Sequence, residues 1–264
     1  MVCNGLFLHN DIKKFSKLKM VQLTSTGLEK VPIDEIKKRS IKLCNAKGIY
    51  SVPMSEWVVL KILEIYKRSR FFEDSQRRLE WVKNRDLLEL DRKTIGIVGT
   101  GSVGVEVAKR VQVFGCKVIG VNTQGVKENY FDECIPVKEL NTFLSKCDVI
   151  VLTLPLTDKT RNLINKETLA FMKDDAVLIN VSRGGIINER DLLHHLNAGK
   201  LRGAALDVFE QEPLPTDSSL WRHQRVIATP HNSFTSDNTS SRMFDLIYGN
   251  LKAYIQKKPL KNQI

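Results

Sequence analysis

Cysteine is scarce in this chain. There are five in 264 residues, at Cys3, Cys44, Cys116, Cys134 and Cys147, and no two stand at C-x-x-C spacing. An odd and scattered set argues against a disulfide framework and against a zinc or other metal site. It fits free thiols in a reducing, cytoplasmic compartment. Long apolar runs are also missing, and nothing approaches the length of a membrane span, so no membrane partner is expected. The opening residues, MVCNGLFLHNDIKKF, lack the long apolar core and small-residue cleavage site of a secretory leader. Repeats and low-complexity segments are absent too. Acid is short relative to base, with 30 Asp and Glu against 41 Lys and Arg, a formal net charge of +11. The basic residues are dispersed, however, in groups such as Lys37, Lys38 and Arg39 that alternate with apolar residues as the wet faces of helices do. No nucleic-acid partner is therefore expected. An anionic small molecule needs only a local positive potential, which this excess supplies.

What remains is an ordinary globular composition, 42% hydrophobic and 27% charged, in a chain with room for two domains. Its most informative stretch runs from Thr94 to Thr123. A short apolar run, Ile95 to Val98, reads as a strand buried on both faces, and Gly99, Gly101 and Gly104 follow at G-x-G-x-x-G spacing. Val103, Val107, Ala108 and Val111 then recur at helical spacing, and Lys117 to Val121 reads as a second buried strand. Glycine-rich turns are common in loops, so the motif alone is weak. Between a strand and a helix it predicts a dinucleotide site, with the pyrophosphate at the N-terminus of a helix starting near Ser102.

Upstream, Met20 to Thr24 predicts a strand, Val31 to Asp34 a turn opening a short helix, and Ser40 to Leu43 another strand. From Ser55 to Arg70 the apolar residues fill more than one helix face, as in a helix buried against a partner or between domains. Downstream, helices are expected at Val137 to Cys147, Asn165 to Met172, Glu189 to Asn197 and Ser236 to Lys257. Strands are expected at Asp148 to Leu154, Ala176 to Asn180, Gly203 to Val208 and Arg225 to Thr229. Counting the first two, that makes six strands in a βαβ rhythm. This is the pattern of an α/β, doubly wound parallel sheet that binds ligands at the strand C-terminal ends.

Polar residues just past those ends are the candidates for chemistry. Arg183 follows one strand, the segment from Asp207 to Pro213 the next, and Thr229-Pro230-His231 the last. Arg183 could hold a substrate carboxylate bidentately and polarise an adjacent carbonyl, or could simply cap the elements before it. His231 could give the carbonyl oxygen its proton, with Glu212 orienting the ring. His194 and His195 fall inside a helix, and His9 and His223 in polar, loop-like surroundings, so His231 is the strongest histidine. Asp207 ends a strand and could be purely structural.

The motifs GTGSVG, VLTLPLTDKTRNLINKETLAFMKDDAVLINVSRGG, GKLRGAALDVFEQEP and TPH run in order from Thr94 to His231. Together they closely resemble the D-isomer-specific 2-hydroxyacid dehydrogenases. The resemblance implies a Rossmann dinucleotide domain over residues 54–232. It also implies a smaller, discontinuous, flavodoxin-like substrate domain over residues 1–53, rejoined by a C-terminal helix in 233–264. It implies hydride transfer between a nicotinamide and the 2-carbon of a small 2-oxo or 2-hydroxy acid. Arg183 would bind substrate, and Glu212 and His231 would form the acid–base pair, Glu212 being preferred to Glu210 because it directly precedes Pro213. Cofactor contacts would fall, besides the three glycines, on Ser102, Val103, Asn122, Leu154, Pro155, Thr160, Val181 and Asp207. STGLEKVPID resembles the family's substrate-carboxylate loop, which assigns Thr26 and Gly27 amides to the anion, and Tyr50 would stand in the substrate-domain wall. A homodimer built through the dinucleotide domain and the helix after Ser55 is also implied.

Two departures from the family pattern stand out. The second strand ends in Asn122 where an acid usually holds the adenosine ribose, so NADP becomes possible beside NAD, with NAD slightly favoured. The chain before the long helix is shorter than a full substrate domain, which suggests a misplaced start or a truncated and impaired paralogue. A non-catalytic, corepressor-like sensor of the dinucleotide is the principal alternative to an enzyme.

Overall fold

The computed structural model describes residues 1–264. The chain divides into two compact units, one of Met1–Ser51 with Thr235–Ile264, the other of Val52–Phe234. The first unit opens with a short parallel sheet. Strand β1 (Val2–Cys3) pairs with β2 (Met20–Leu23), helix α1 (Ile33–Lys38) follows, and β3 (Lys42–Cys44) completes the order β1-β2-β3. All of β2 is buried, because Val21 and Leu23 pack on Ile12, Ile36, Ile41 and Leu43. Gln22, on the opposite face, is buried as well and hydrogen-bonds through its amide to the carbonyls of Leu23 and Asn45.

Helix α2 (Ser51–Tyr66) begins at the unit boundary. The sequence pattern carries one helix to Arg70, but the structure breaks it after Tyr66 and starts α3 at Ser69–Arg77. The break lies at Arg68, whose φ is +55°. No glycine or proline marks it. It is fixed from a distance, where Leu88 N donates to Tyr66 O and the Arg68 guanidinium pairs with Asp86.

The second unit is built on a seven-stranded, wholly parallel sheet. In chain order its elements are β4 (Thr94–Val98), α4 (Ser102–Gln112), β5 (Lys117–Asn122), β6 (Glu133–Pro136), α5 (Leu140–Lys146) and β7 (Val149–Leu152). They continue with α6 (Lys166–Leu169), β8 (Ala176–Asn180), α7 (Glu189–Asn197), β9 (Leu201–Leu206) and β10 (Val226–Ala228). The spatial order is β10-β9-β8-β7-β4-β5-β6. The sequence predicts six of these seven strands and misses β6, a four-residue edge strand ending in Pro136. Its residues, Glu133-Cys134-Ile135-Pro136, have neither an apolar run nor an alternation long enough to signal a strand.

Both faces of the sheet are covered, which is why its strands read as continuous apolar runs. Along β7, Val149 and Val151 meet the α2 and α4 layer through Val58, Ile62, Val107 and Val111. Ile150 and Leu152 meet the opposite layer through Phe143, Leu144, Leu192 and Leu196. The strand order reverses between β4 and β7, and a doubly wound sheet opens its binding crevice at that switch point. Helix α8 (Thr239–Ile255) belongs to the first unit, where Asn250 donates to Gln22 Oε1 at 2.7 Å and Leu246 packs with Ala46 and Ile49.

Candidate active site

The glycine loop lies at the C-terminal end of β4. Gly99 takes φ +102°, and a Cβ there would stand 2.8 Å from Leu154 N, so the turn is pressed against the end of β7. A Cβ at Gly104 would stand 2.2 Å from Gly99 O, which lets α4 start directly behind the loop. At Gly101 a Cβ would meet nothing within 4 Å. Two glycines are thus required by the protein's own packing, and the middle one faces open space. The first helical bond of α4 is Val105 N to Gly101 O at 2.9 Å, so the amides of Ser102, Val103 and Gly104 are the donors at the head of the helix. This shape fits a dinucleotide pyrophosphate, whose charge the helix dipole also favours.

Around the cradle the other expected cofactor positions have structural tasks of their own. Leu154 and Val181 are buried in the core. Thr160 donates its hydroxyl to Pro155 O at 2.8 Å and accepts from Thr157 N at 2.7 Å, holding the Pro155 loop in shape. Asn122 Oδ1 accepts from Gly125 N at 2.7 Å, inside the turn that follows β5.

Arg183 stands on the loop after β8. Asn180, fully buried, shapes that loop, accepting from Ser182 N at 3.0 Å and donating to Arg183 O at 3.0 Å. The guanidinium itself donates to Ser182 O at 2.8 Å. Directly after it, a Cβ on Gly184 would lie 1.8 Å from the carbonyl carbon of Phe209. Glycine at 184 therefore brings the Arg183 loop against the segment leading to Glu212. Neither Asn180 nor Gly184 stands out as a site residue in the sequence: Asn180 shapes the loop through its own neighbours Ser182 and Arg183, and Gly184 acts through Phe209, distant along the chain.

Glu212 and His231 meet. His231 Nδ1 lies 2.7 Å from Glu212 Oε2, and Glu212 Oε1 accepts from Phe209 N at 3.1 Å. Glu210 is occupied elsewhere, accepting from Glu189 N at the start of α7 while its own N–H donates to Glu189. His231 takes φ +50°, a left-handed conformation uncommon for residues other than glycine. Asp207 holds it in place. Its carboxylate is wholly buried and accepts from Thr229 Oγ1 at 2.5 Å, Asn232 N at 2.8 Å and Ser233 N at 2.9 Å, while its carbonyl accepts from His231 N at 2.8 Å. Of the rival histidines, His223 accepts from Arg225 N, and His195 is disfavoured as a cation by burial and then by Lys200. A histidine held by a carboxylate through Nδ1 keeps Nε2 for proton transfer, and an arginine on a neighbouring strand end suits a carboxylate.

In the first unit, the loop after β2 carries Thr26 and Gly27. Asn45 donates to Thr26 O at 2.9 Å, Ser25 Oγ to Gly27 O at 3.3 Å, and the Tyr50 hydroxyl to Thr24 O. These bonds engage carbonyls and orient the loop. Asn45 and Gln22, which support it from below, carry no signal in the sequence.

The fold and the glycine loop together define a dinucleotide-binding unit of the doubly wound α/β class. A family model described as D-isomer specific 2-hydroxyacid dehydrogenase, NAD binding domain, matches residues 59–233. The D-3-phosphoglycerate dehydrogenase of Methanocaldococcus jannaschii is 32% identical over 255 residues, covering 96% of this chain but 48% of its own length. The chain thus spans about half of that relative. The glyoxylate reductase of Thermofilum pendens is 35% identical over 247 residues, 90% of this chain and 72% of its own. A probable 2-hydroxyacid dehydrogenase of Rhizobium etli, solved with NADP, HEPES and L(+)-tartaric acid, superposes with a TM-score of 0.86 at 29% identity. That alignment covers 100% of this chain and 83% of the other. The chain belongs to the D-isomer-specific 2-hydroxyacid dehydrogenase family, whose members act on CH–OH donors with NAD or NADP.

Proposed function

We propose that the protein reduces a small 2-oxo acid to the corresponding D-2-hydroxy acid. The observation that carries the reading is the His231–Glu212 pair at 2.7 Å, set one strand-end loop away from an arginine. The glyoxylate reductase among its relatives supports a substrate of that small size. Arg183 binds the substrate carboxylate and draws electron density from the adjacent carbonyl. His231 donates a proton from Nε2 to the carbonyl oxygen, and Glu212 fixes the ring's tautomer and balances its charge. When bound, the reduced nicotinamide supplies the hydride that reaches the 2-carbon. The amides of Thr26 and Gly27, and Tyr50, serve the substrate from residues 1–53, the substrate domain that the C-terminal residues 233–264 rejoin.

The test is reduced-cofactor absorbance with glyoxylate, hydroxypyruvate, pyruvate and branched 2-oxo acids. Turnover of at least one supports the assignment. Tight cofactor binding with no turnover of any would sink it and leave a dinucleotide-sensing scaffold.

A homodimer formed through the dinucleotide domain belongs to the same proposal. Val59, Leu60, Leu63, Val113 and Phe114 line an apolar groove between α2 and α4, and Leu79 and Trp81 on the following arm are 95% and 98% exposed. Apolar surface of this kind on one unit suits a self-complementary two-fold contact. Sedimentation as a monomer at micromolar concentration would count against it. The five cysteines, all free, fit a cytoplasmic setting.

A further inference from the structure

The loop that carries Arg183 and the segment that ends in Glu212 leave different strands, β8 and β9, yet they are joined at two points. One is the close approach of Gly184, where a Cβ would stand 1.8 Å from the carbonyl carbon of Phe209 and 2.4 Å from Glu210 N. The other is a reciprocal pair of hydrogen bonds between residues 21 positions apart in the chain. Glu210 N donates to Glu189 Oε1 at 2.6 Å, and Glu189 N donates to Glu210 Oε1 at 3.0 Å. Each acid takes the other's backbone N–H, and the two bonds close a ring. Glu189 is the first residue of α7, where the free amides and positive end of the helix dipole favour the Glu210 carboxylate.

Each end of this ring leads directly to a site residue. On one side, Ile186 N donates to Arg183 O at 3.3 Å, Ile187 N to Gly184 O at 3.0 Å and Asn188 N to Ile164 O at 2.8 Å. The chain from Arg183 to Glu189 is therefore held step by step. On the other side, Phe209 N, next to Glu210, donates to Glu212 Oε1 at 3.1 Å, and Glu212 Oε2 meets His231 Nδ1 at 2.7 Å. Burial pushes the Glu189 carboxyl up; the bond from Glu210 N–H opposes this, and the Glu210 charge adds to it. What the geometry uses at Glu189 is thus the acceptor oxygen, which a neutral amide of the same length also offers. We propose that Glu189 is a positioning residue. Through its reciprocal bonds with Glu210 it fixes the Arg183 loop to the Glu212 segment, and so sets the spacing between the substrate arginine and the His231–Glu212 pair. The inference rests on the hydride-transfer reading of that site.

The test compares Glu189→Met, which keeps the side-chain length and removes the acceptor, with Glu189→Gln, which keeps the acceptor and removes the charge. On a 2-oxo acid that the wild type reduces, kcat should fall roughly tenfold in Glu189→Met, well within what a misplacement of about 1 Å costs. Glu189→Gln should restore most of that loss. Dinucleotide affinity should stay within about threefold of wild type in both, since the glycine loop stands at another strand end. Glu210→Met opens the same ring from an exposed position, so it carries the test if Glu189→Met fails to fold, and kcat should fall there too. The double variant should fall little below the worse single one, because both substitutions break one unit. A kcat within about twofold of wild type in the Met variants overturns the assignment, even if their melting temperatures drop. So does an equal loss in Glu189→Gln, or losses that multiply in the double variant. No turnover by the wild type sinks the positioning role together with the reaction, whereas equal turnover by wild type and Met variants sinks the positioning role alone.

Discussion

The Asp207 carboxylate lies beneath the loop that carries His231 and takes three of its hydrogen bonds, from Thr229, Asn232 and Ser233. The acid at the end of one strand thereby determines the backbone at the end of the next, including the left-handed φ of His231. Whatever it contributes toward a cofactor, Asp207 has a positioning task that its place in the sequence only hints at.

Asp207→Ala should therefore cost both stability and activity. It leaves buried donors without an acceptor, at roughly 3 kcal/mol by chemical or thermal unfolding. Asp207→Asn keeps the volume but turns one amide edge toward an N–H, and should retain more stability than Asp207→Ala while kcat falls in both. Unchanged kcat in both variants would remove the positioning role.

Gly184→Ala tests the close approach of the Arg183 loop to Phe209. A Cβ placed 1.8 Å from the carbonyl carbon and 1.9 Å from the oxygen must push two backbones apart. The expected loss is about 3 kcal/mol, the upper part of the usual overpacking range, with a lower melting temperature. An unchanged melting temperature would show that the two segments separate at little cost.

Much of this arrangement was legible in the sequence. The glycine loop and the three strand ends announced themselves because β4, β8, β9 and β10 are apolar runs followed at once by polar residues. What was not legible depends on partners far along the chain. The stop of α2 at Tyr66 depends on Leu88 and Asp86, and the edge strand β6 has no pattern of its own. Gly184 is an ordinary residue until its loop is brought against Phe209. Asn122 could be seen as a departure from the family pattern, but not that its amide is consumed within the turn.

The break at Arg68 makes a pH-dependent prediction. Asp86 is held below the usual carboxylate range by hydrogen bonds from Arg68 and then Arg202, the latter 3% exposed in its side chain and also paired with Asp175. A depressed carboxyl stabilises above its ordinary pKa and loses that contribution as pH falls through the depressed value. Asp86→Asn should be less stable than wild type at pH 7, and the gap in melting temperature should close as the pH falls through the depressed titration of the wild-type carboxyl. A gap independent of pH would contradict the pairing.

Burial makes the interior thiols poor nucleophiles. It pushes Cys147 up to about 12 and Cys116 to about 11. Since the thiolate is the reactive form, neither should label with iodoacetamide in the native protein at pH 8, and both should label after unfolding. Rapid native labelling of Cys147, packed against Phe143, would contradict its burial.

The most direct measurement is the single-turnover and steady-state reduction of a 2-oxo acid by wild type and His231→Ala, with dinucleotide affinity measured on both. The account predicts that kcat falls by roughly 100- to 10,000-fold, the usual contribution of a general acid, while the dinucleotide binds as before. A His231→Ala protein that binds the dinucleotide and turns over within about threefold of wild type would contradict it, since no general acid of ordinary effectiveness would then reside at that position.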